Sequence, residues 1–325
     1  MIVKNIPCSS KTASSGNCGS ITVPVVLGPT AIGKSAVALS IAKATGWDIL
    51  SCDSRQLYRG MNIGTAKPTV AERASVQHWL IDILDPSEEY SAWRFADEAA
   101  TIIRNRAKEG RTVMICGGTG LYFRALQTGQ TEREPSDPMV REELTRYARI
   151  HGSHALHREL TAVDRATAAR LHPNDTQRII RALALFRQTG KAMADHVQEG
   201  TPPSDMRFIV IRLTMDRAML YERINNRVDA MMREGLLEEF RRLRSEGYHR
   251  QTPGLQCVGY KELFATEEEA SFDDAVAKIK RNTRRYAKRQ ITWFAHQVKG
   301  MEVDASLPSR ALQQVREYLV KAMED

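Results

Sequence analysis

A chain of 325 residues is the length of about two domains, or of one domain carrying a large insertion. Its 42% hydrophobic and 26% charged residues are those of an ordinary globular protein, which excludes a disordered chain and a fibrous repeat. The net charge is +8, and the stretch 275–300 carries all of it: Lys278, Lys280, Arg281, Arg284, Arg285, Lys288, Arg289 and Lys299 have no acidic residue among them.

In chain order, residues 1–20 are rich in Ser, Gly, Asn and Thr without any period and read as a disordered tail. The apolar run 22–27 reads as a buried strand, and a Gly-rich turn leads into a helix over 34–45. Further strands are expected at 47–51, 78–84 and 112–116, with a helix over 92–108 between the last two. This alternation predicts an α/β fold with a parallel sheet flanked by helices. From Gly129 the texture changes: Pro135 and Pro138 break the chain, and 139–171 and 175–188 read as Arg- and Glu-rich helices. No strand is expected again until 207–213, so 129–205 reads as a helical insertion, and 21–128 with 206–300 as the core. Asp216 is placed to cap a helix running through Met232, and 236–245 and 274–298 are further helices, with 301–325 a C-terminal helix or tail.

No apolar run approaches the ~18 residues a membrane span needs, and Lys4 is followed by no apolar stretch of a secretory signal. Cys8, Cys18, Cys52, Cys116 and Cys257 form no C-x-x-C pair, so neither a disulfide framework nor a zinc module is expected, and a reducing cytoplasm is the expected home. His151, His154 and His157 recur every third residue, but Gly152 interrupts them and no carboxylate completes a metal set.

Gly28, Pro29, Thr30, Ala31, Ile32, Gly33, Lys34 and Ser35 fit the phosphate-loop pattern G-x-x-x-x-G-K-[ST], between a predicted strand and a predicted helix. Such a loop turns backbone N–H groups onto phosphate oxygens at a helix N-terminus; Lys34 adds a point charge and Ser35 a hydroxyl for Mg²⁺. The motif specifies polyphosphate binding and not the fate of the phosphate. The strand ending at Cys116 has no acid at its tip; the acid that can reach the phosphates is Asp53, after the second strand. A parallel sheet offers its carboxyl ends to the ligand, so Asp53 and Thr119 should both face the loop. Asp53 has three open roles here: general base, Mg²⁺ ligand or turn residue. In the basic segment Lys278, Arg281, Arg285 and Lys288 fall on one helix face, without the mixed signs of a solvated charge run, and this points to a polyanionic partner. Trp293 and Phe294 beside them are expected in the core.

With the phosphate loop, six further stretches make the chain resemble the tRNA dimethylallyltransferase family. They are Asp53 to Tyr58 (DSRQLY), Gly64 to Pro68 (GTAKP), Gly117 to Tyr122 (GGTGLY), Gln177 to Leu183 (QRIIRAL), Val258 to Lys261 (VGYK) and Ala287 to Phe294 (AKRQITWF). Ile32 and Ser35 stand where the family usually has small or Thr residues, and Ser35 keeps the hydroxyl. No Cys/His zinc module follows residue 300, which favours the bacterial type.

The resemblance implies a P-loop NTPase-like fold and transfer of a dimethylallyl group from dimethylallyl diphosphate, with Mg²⁺, to the exocyclic amine of the adenosine next to the anticodon (tRNA position 37). It implies a diphosphate held by the loop, Lys34 and Arg227, and catalysis by Asp53, Thr119, Lys34 and Arg227. It implies contacts to the tRNA anticodon stem-loop from Asp53, Ser54, Arg55, Gln56, Thr119, Arg141, Gln177, Arg178, Arg181, Gln256, Cys257, Val258, Gly259, Tyr260 and Lys261, joined by Arg281, Arg285 and Lys288 of the basic helix. A cytoplasmic monomer without membrane contact is expected. Two alternatives stand beside it, a prenyltransferase acting on free adenine nucleotides and a small-molecule P-loop kinase. Neither needs the basic helix or the Arg-rich insertion.

Overall fold

Runs of β-branched and aliphatic residues without polar alternation make strands buried on both faces, the habit of a parallel sheet. In a computed structural model, which describes residues 20–129, 131–132, 137–198, 202–268 and 271–324, β1 (Ile21–Leu27) is such a strand, at the centre of the sheet. After it come α1 (Lys34–Thr45), β2 (Asp48–Cys52), α2 (Val70–Ser75), β3 (His78–Trp79), α3 (Ala92–Lys108), β4 (Val113–Gly117) and α4 (Gly120–Thr128). A separate compact unit, Thr128–Pro202, holds β5 (Thr131–Glu132), α5 (Pro138–His151), α6 (Ser153–Val163), α7 (Arg165–Arg170), α8 (Thr176–Thr189), α9 (Met193–His196) and β6 (Val197–Gln198). The chain then rejoins the first unit with β7 (Met206–Thr214), α10 (Arg217–Arg233), α11 (Leu236–Ser245), α12 (Tyr260–Leu263), α13 (Phe272–Gln297), β8 (Met301–Asp304) and α14 (Pro308–Glu324).

The six-stranded sheet has the order β3-β2-β4-β1-β7-β8, with every neighbouring pair parallel. The chain leaves β1 on one side, passing over the place of β4 to reach β2, and later crosses back past β1 to β7. The carboxyl ends of β1 and β4 therefore border the switch point, where open α/β sheets bind ligands. Val23, Val25, Leu27, Leu50 and Ile115 pack on Phe95, Ala99 and Ile103 of α3 and on Ile279 and Phe294 of α13. Val26, Ile49, Met114 and Ile211 pack on Ile41 of α1, Leu220 and Ile224 of α10, and Val315 and Leu319 of α14.

Several expectations change against this frame. The strand expected over 78–84 stops at Trp79, because Leu80 (φ 59°) and Asp82 (φ 56°) turn the chain and Asp82 is ion-paired to Lys67 and Arg73. The single helix expected over 139–171 is three, broken at Gly152 (φ 80°) and at Asp164, whose side chain accepts from the Thr167 N–H and caps α7. A short antiparallel pair, β5 with β6, was not expected. Residues after 300 are neither a tail nor a lone helix: β8 extends the sheet beside β7, and α14 buries Ala311, Val315 and Leu319. The tail expected at 1–20, with Cys8 and Cys18, lies outside the described residues apart from Ser20.

In the second unit Leu144, Leu156, Leu160, Ile179 and Leu183 form a core of their own. His157 Nε2 sits 3.0 and 3.1 Å from the carbonyl oxygens of Ala168 and Leu171, at the end of α7.

Candidate active site

Gly33 supplies the turn from β1 into α1: its φ of 104° is open to glycine and costly for other residues. Ala31, at φ 64°, takes the left-handed region without that freedom, and such strain collects where a loop must present its backbone to a ligand. Ile32, the bulky departure from the expected loop, is buried at 1% exposure and anchors the loop in the core under α1. Lys34 opens α1 and donates from Nζ to Pro29 O at 2.8 Å, so the ammonium folds over the loop. The residue is half-buried, and that burial lowers its pKa from 10.5 to about 8, against the opposing charge of Asp53. Ser35 follows, exposed on the first turn.

β2 and β4 end side by side, with Cys52 opposite Gly117, and this register brings the next residues of each strand together. Thr119 N–H donates to Cys52 O at 3.0 Å, and Ser54 N–H donates to Thr119 Oγ1 at 2.9 Å. Asp53 Oδ1 accepts the Arg55 N–H at 2.9 Å, a turn that fixes its carboxyl in the half-buried crevice. From there its charge is felt by Lys34 and by Arg227 of α10, whose pKa is lowered by burial and held up by Asp53. Two cations and one carboxylate thus share the carboxyl edge of the sheet. Burial raises the thiol of Cys116 to about 11 and raises that of Cys52, so both stay protonated beside them.

α13 closes the crevice. Gln290, at 8% exposure, accepts the Thr30 N–H at 2.9 Å and donates to Gly118 O at 2.8 Å. Tyr286, one turn earlier, is exposed at 36% of its surface; partial burial and then the charge of Asp53 raise its pKa, and the Arg289 guanidinium sits 5.8 Å over its ring. Trp293 is half-buried against Gly120, and Phe294 is core. Lys278, Arg281, Arg285 and Lys288 are exposed, whereas Lys280 pairs with Asp229 at 2.6 Å and Arg284 donates to Asn225 at 2.6 Å.

Other expected RNA contacts are distributed differently. Tyr260 is fully buried and donates from its hydroxyl to Glu239 at 2.6 Å, and Gly259 is a buried turn whose N–H donates to Glu262; neither can touch RNA as they stand. The Gln56 amide is taken up inside the protein, accepting from Ser51 Oγ at 2.9 Å and donating to Ala66 O at 3.1 Å. Arg55 donates to Pro253 O at 3.1 Å, and Gln256 donates to Arg250 O. Cys257 and Val258 are half-buried, and Lys261 is exposed. Arg141 lies on α5 and Gln177, Arg178 and Arg181 on α8, all in the second unit; Arg178 pairs with Asp175 at 3.5 Å.

Sequence reasoning missed Glu239 and Gln290. Glu239 accepts the N–H groups of Asn62, Ile63 and Gly64 as well as the Tyr260 hydroxyl, and so holds the 61–67 loop under Gln56. A Glu inside the amphipathic pattern of α11 gave no sign of this. Gln290 stands within a recognised stretch, but its partners are far away in the chain.

The phosphate loop, the paired Asp53 and Thr119, and the parallel sheet define a P-loop-type group-transfer enzyme. A family profile described as IPP transferase matches residues 56–297. The tRNA dimethylallyltransferase of Bacillus subtilis (strain 168) is 42% identical over 288 residues, covering 88% of this chain and 91% of the relative. That of Geobacter metallireducens is 45% identical over 273 residues, 83% of this chain and 88% of the relative. The crystal structure of the full-length tRNA isopentenylpyrophosphate transferase of Bacillus halodurans superposes with a TM-score of 0.67 at 36% identity, over 94% of this chain and 99% of that one. A eukaryotic dimethylallyltransferase described as acting on tRNA shares the fold, with a TM-score of 0.73 at 24% identity over 91% of this chain and 77% of that one. The chain belongs to the IPP transferase family.

Proposed function

We propose that this protein transfers the dimethylallyl group of dimethylallyl diphosphate to the exocyclic amine of the tRNA adenosine next to the anticodon, releasing diphosphate. The observation that carries the reading is that Lys34, Arg227 and Asp53 lie within electrostatic reach of one another at the carboxyl edge of the sheet, where Thr119 Oγ1 accepts the Ser54 N–H. Backbone N–H groups, Lys34 and Arg227 hold the diphosphate and stabilise the charge that grows on it as the C–O bond breaks. An adenine amine is a weak nucleophile; Asp53 accepts its proton as the N–C bond forms. Thr119, hydrogen-bonded to the Ser54 N–H, keeps the acceptor side of the crevice in register.

Among the described residues no group of three or more His, Cys, Asp or Glu is placed to hold a metal ion. Mg²⁺ fits what is there, because it keeps its waters and leans on substrate phosphates with only one or two protein ligands, here the Ser35 hydroxyl and, as its second candidate role, Asp53. When bound it neutralises charge on the leaving diphosphate. Arg281, Arg285 and Lys288 contact the tRNA backbone, with Ser54, Arg55, Gln256, Cys257, Val258 and Lys261 around the crevice and Arg141, Gln177, Arg178 and Arg181 in the second unit. The adenine leaves its stack to reach the electrophile. No helix among the described residues is long and apolar enough to cross a membrane. On this reading the protein acts in the cytoplasm, on its tRNA substrate.

The test is incubation with labelled dimethylallyl diphosphate, Mg²⁺ and either unmodified tRNA or AMP. Label in tRNA and none in AMP is the expected result. Label in AMP moves the protein to the nucleotide prenyltransferases, and phosphate transfer from ATP to a small acceptor makes it a kinase.

A further inference from the structure

A donor crevice and an acceptor crevice must keep a fixed spacing for a carbon to pass between them, and one side chain spans both here. Gln290 holds the Thr30 N–H of the phosphate loop with its oxygen and the Gly118 carbonyl with its nitrogen. Gly118 directly precedes Thr119, and Thr30 lies within the loop that Lys34 closes. The clasp is tight: a Cβ on Gly118 would lie 2.7 Å from Gln290 Nε2, 3.4 Å from Gly28 O and 3.7 Å from Lys34 Nζ. Both functional groups of the amide are used, and the side chain is buried. It also comes from α13, the helix whose exposed face carries Arg281, Arg285 and Lys288.

We propose that Gln290 is the positioning residue that fixes the donor loop against the Thr119 turn and so sets the distance from the allylic carbon to the acceptor amine. It touches neither reactant; it acts through Thr30 and Gly118. The inference rests on the transfer reaction proposed above. In a crevice out of register the C–O bond still breaks and its electron pair still leaves with the diphosphate. The carbon then takes a water oxygen instead of the adenine nitrogen, the water proton goes to solvent, and the product is dimethylallyl alcohol. Loss of Gln290 therefore changes the partition between alcohol and modified tRNA, which a purely structural defect leaves alone.

The experiment compares the wild type with Gln290→Leu, which keeps the volume and loses both hydrogen bonds, and Gln290→Glu, which keeps the acceptor for Thr30 and loses the donor to Gly118. Labelled donor and unmodified tRNA are supplied, and alcohol and tRNA label are counted together with donor and tRNA Kd and the melting temperature. The expected result for both variants is a kcat for transfer lower by about 10- to 100-fold, the scale that a misplacement near 1 Å costs. The alcohol-to-tRNA ratio rises by about tenfold, following that lost alignment, while the two Kd values stay close to wild type. An unchanged ratio in a variant that still folds overturns the proposal, whatever happens to kcat. If the wild type itself labels no tRNA, the transfer reading fails first and the positioning role falls with it.

Discussion

In the proposed reaction Lys34 and Asp53 divide the chemistry at the residue scale, and each can be separated from its neighbours. Lys34 titrates near pH 8 in the free protein, and a bound diphosphate raises that value by stabilising the ammonium. Donor affinity should therefore be full below pH 8 and fall above it, approaching about tenfold per pH unit as binding takes up one proton. Calorimetry of dimethylallyl diphosphate binding between neutral pH and pH 9.5 measures this, and Lys34→Arg should remove the falling limb; a limb that survives the substitution assigns it to another group. The thiols of Cys52 and Cys116 are raised, the latter to about 11, so they do not produce it. For Asp53→Asn, loss of the proton acceptor should lower kcat by ~10²–10⁴ with donor and tRNA binding near normal. Recovery at high Mg²⁺ identifies a metal ligand instead, and near-normal turnover leaves Asp53 as a turn residue. The placement of these residues at the carboxyl edge of the sheet was legible because phosphate loops and strand-end carboxylates follow local rules. Tyr260 was misread because its stretch carries a recognisable pattern, while its burial against Glu239 depends on a helix from elsewhere in the chain.

Helix α13 is the element that serves two surfaces. Its inward face places Gln290 and Trp293 at the crevice, with the exposed Tyr286 at its rim, and its outward face exposes Lys278, Arg281, Arg285 and Lys288. Charge arithmetic alone located the basic face. That arithmetic could not tell that Lys280 and Arg284 are drawn to Asp229 and Asn225 of α10. Replacing Arg281, Arg285 and Lys288 together by Gln should weaken tRNA binding and flatten its salt dependence, by roughly 0.7–0.9 in log–log slope per true phosphate contact. Donor affinity should not change. Filter binding over a salt series decides it, and an unaltered slope makes the face merely solvated. Elements were read well where caps and periodicity are local: α1, α3 and α11 run as expected, and Asp216 caps α10. They were read poorly where backbone turns decide, as at Leu80 and Asp82 after β3 and at Gly152 between α5 and α6.

Across the whole molecule, strand order turns separate motifs into one site. The β2–β4–β1 neighbourhood brings Asp53, Thr119 and the phosphate loop to one edge, although each follows a different strand. Sequence alternation announced a parallel sheet; it did not give the order of strands or the joining of β8, because parallel pairing is made through long crossovers that leave no local trace. In the proposed reaction this edge prenylates one adenosine in tRNA. The most direct measurement is to react the protein with unmodified tRNA and dimethylallyl diphosphate, digest the product to nucleosides and fragments, and locate the modification by mass spectrometry. The expected product is isopentenyladenosine at the single adenosine next to the anticodon, dependent on Asp53. Modification at another nucleoside, or none in tRNA while AMP is prenylated, would contradict it.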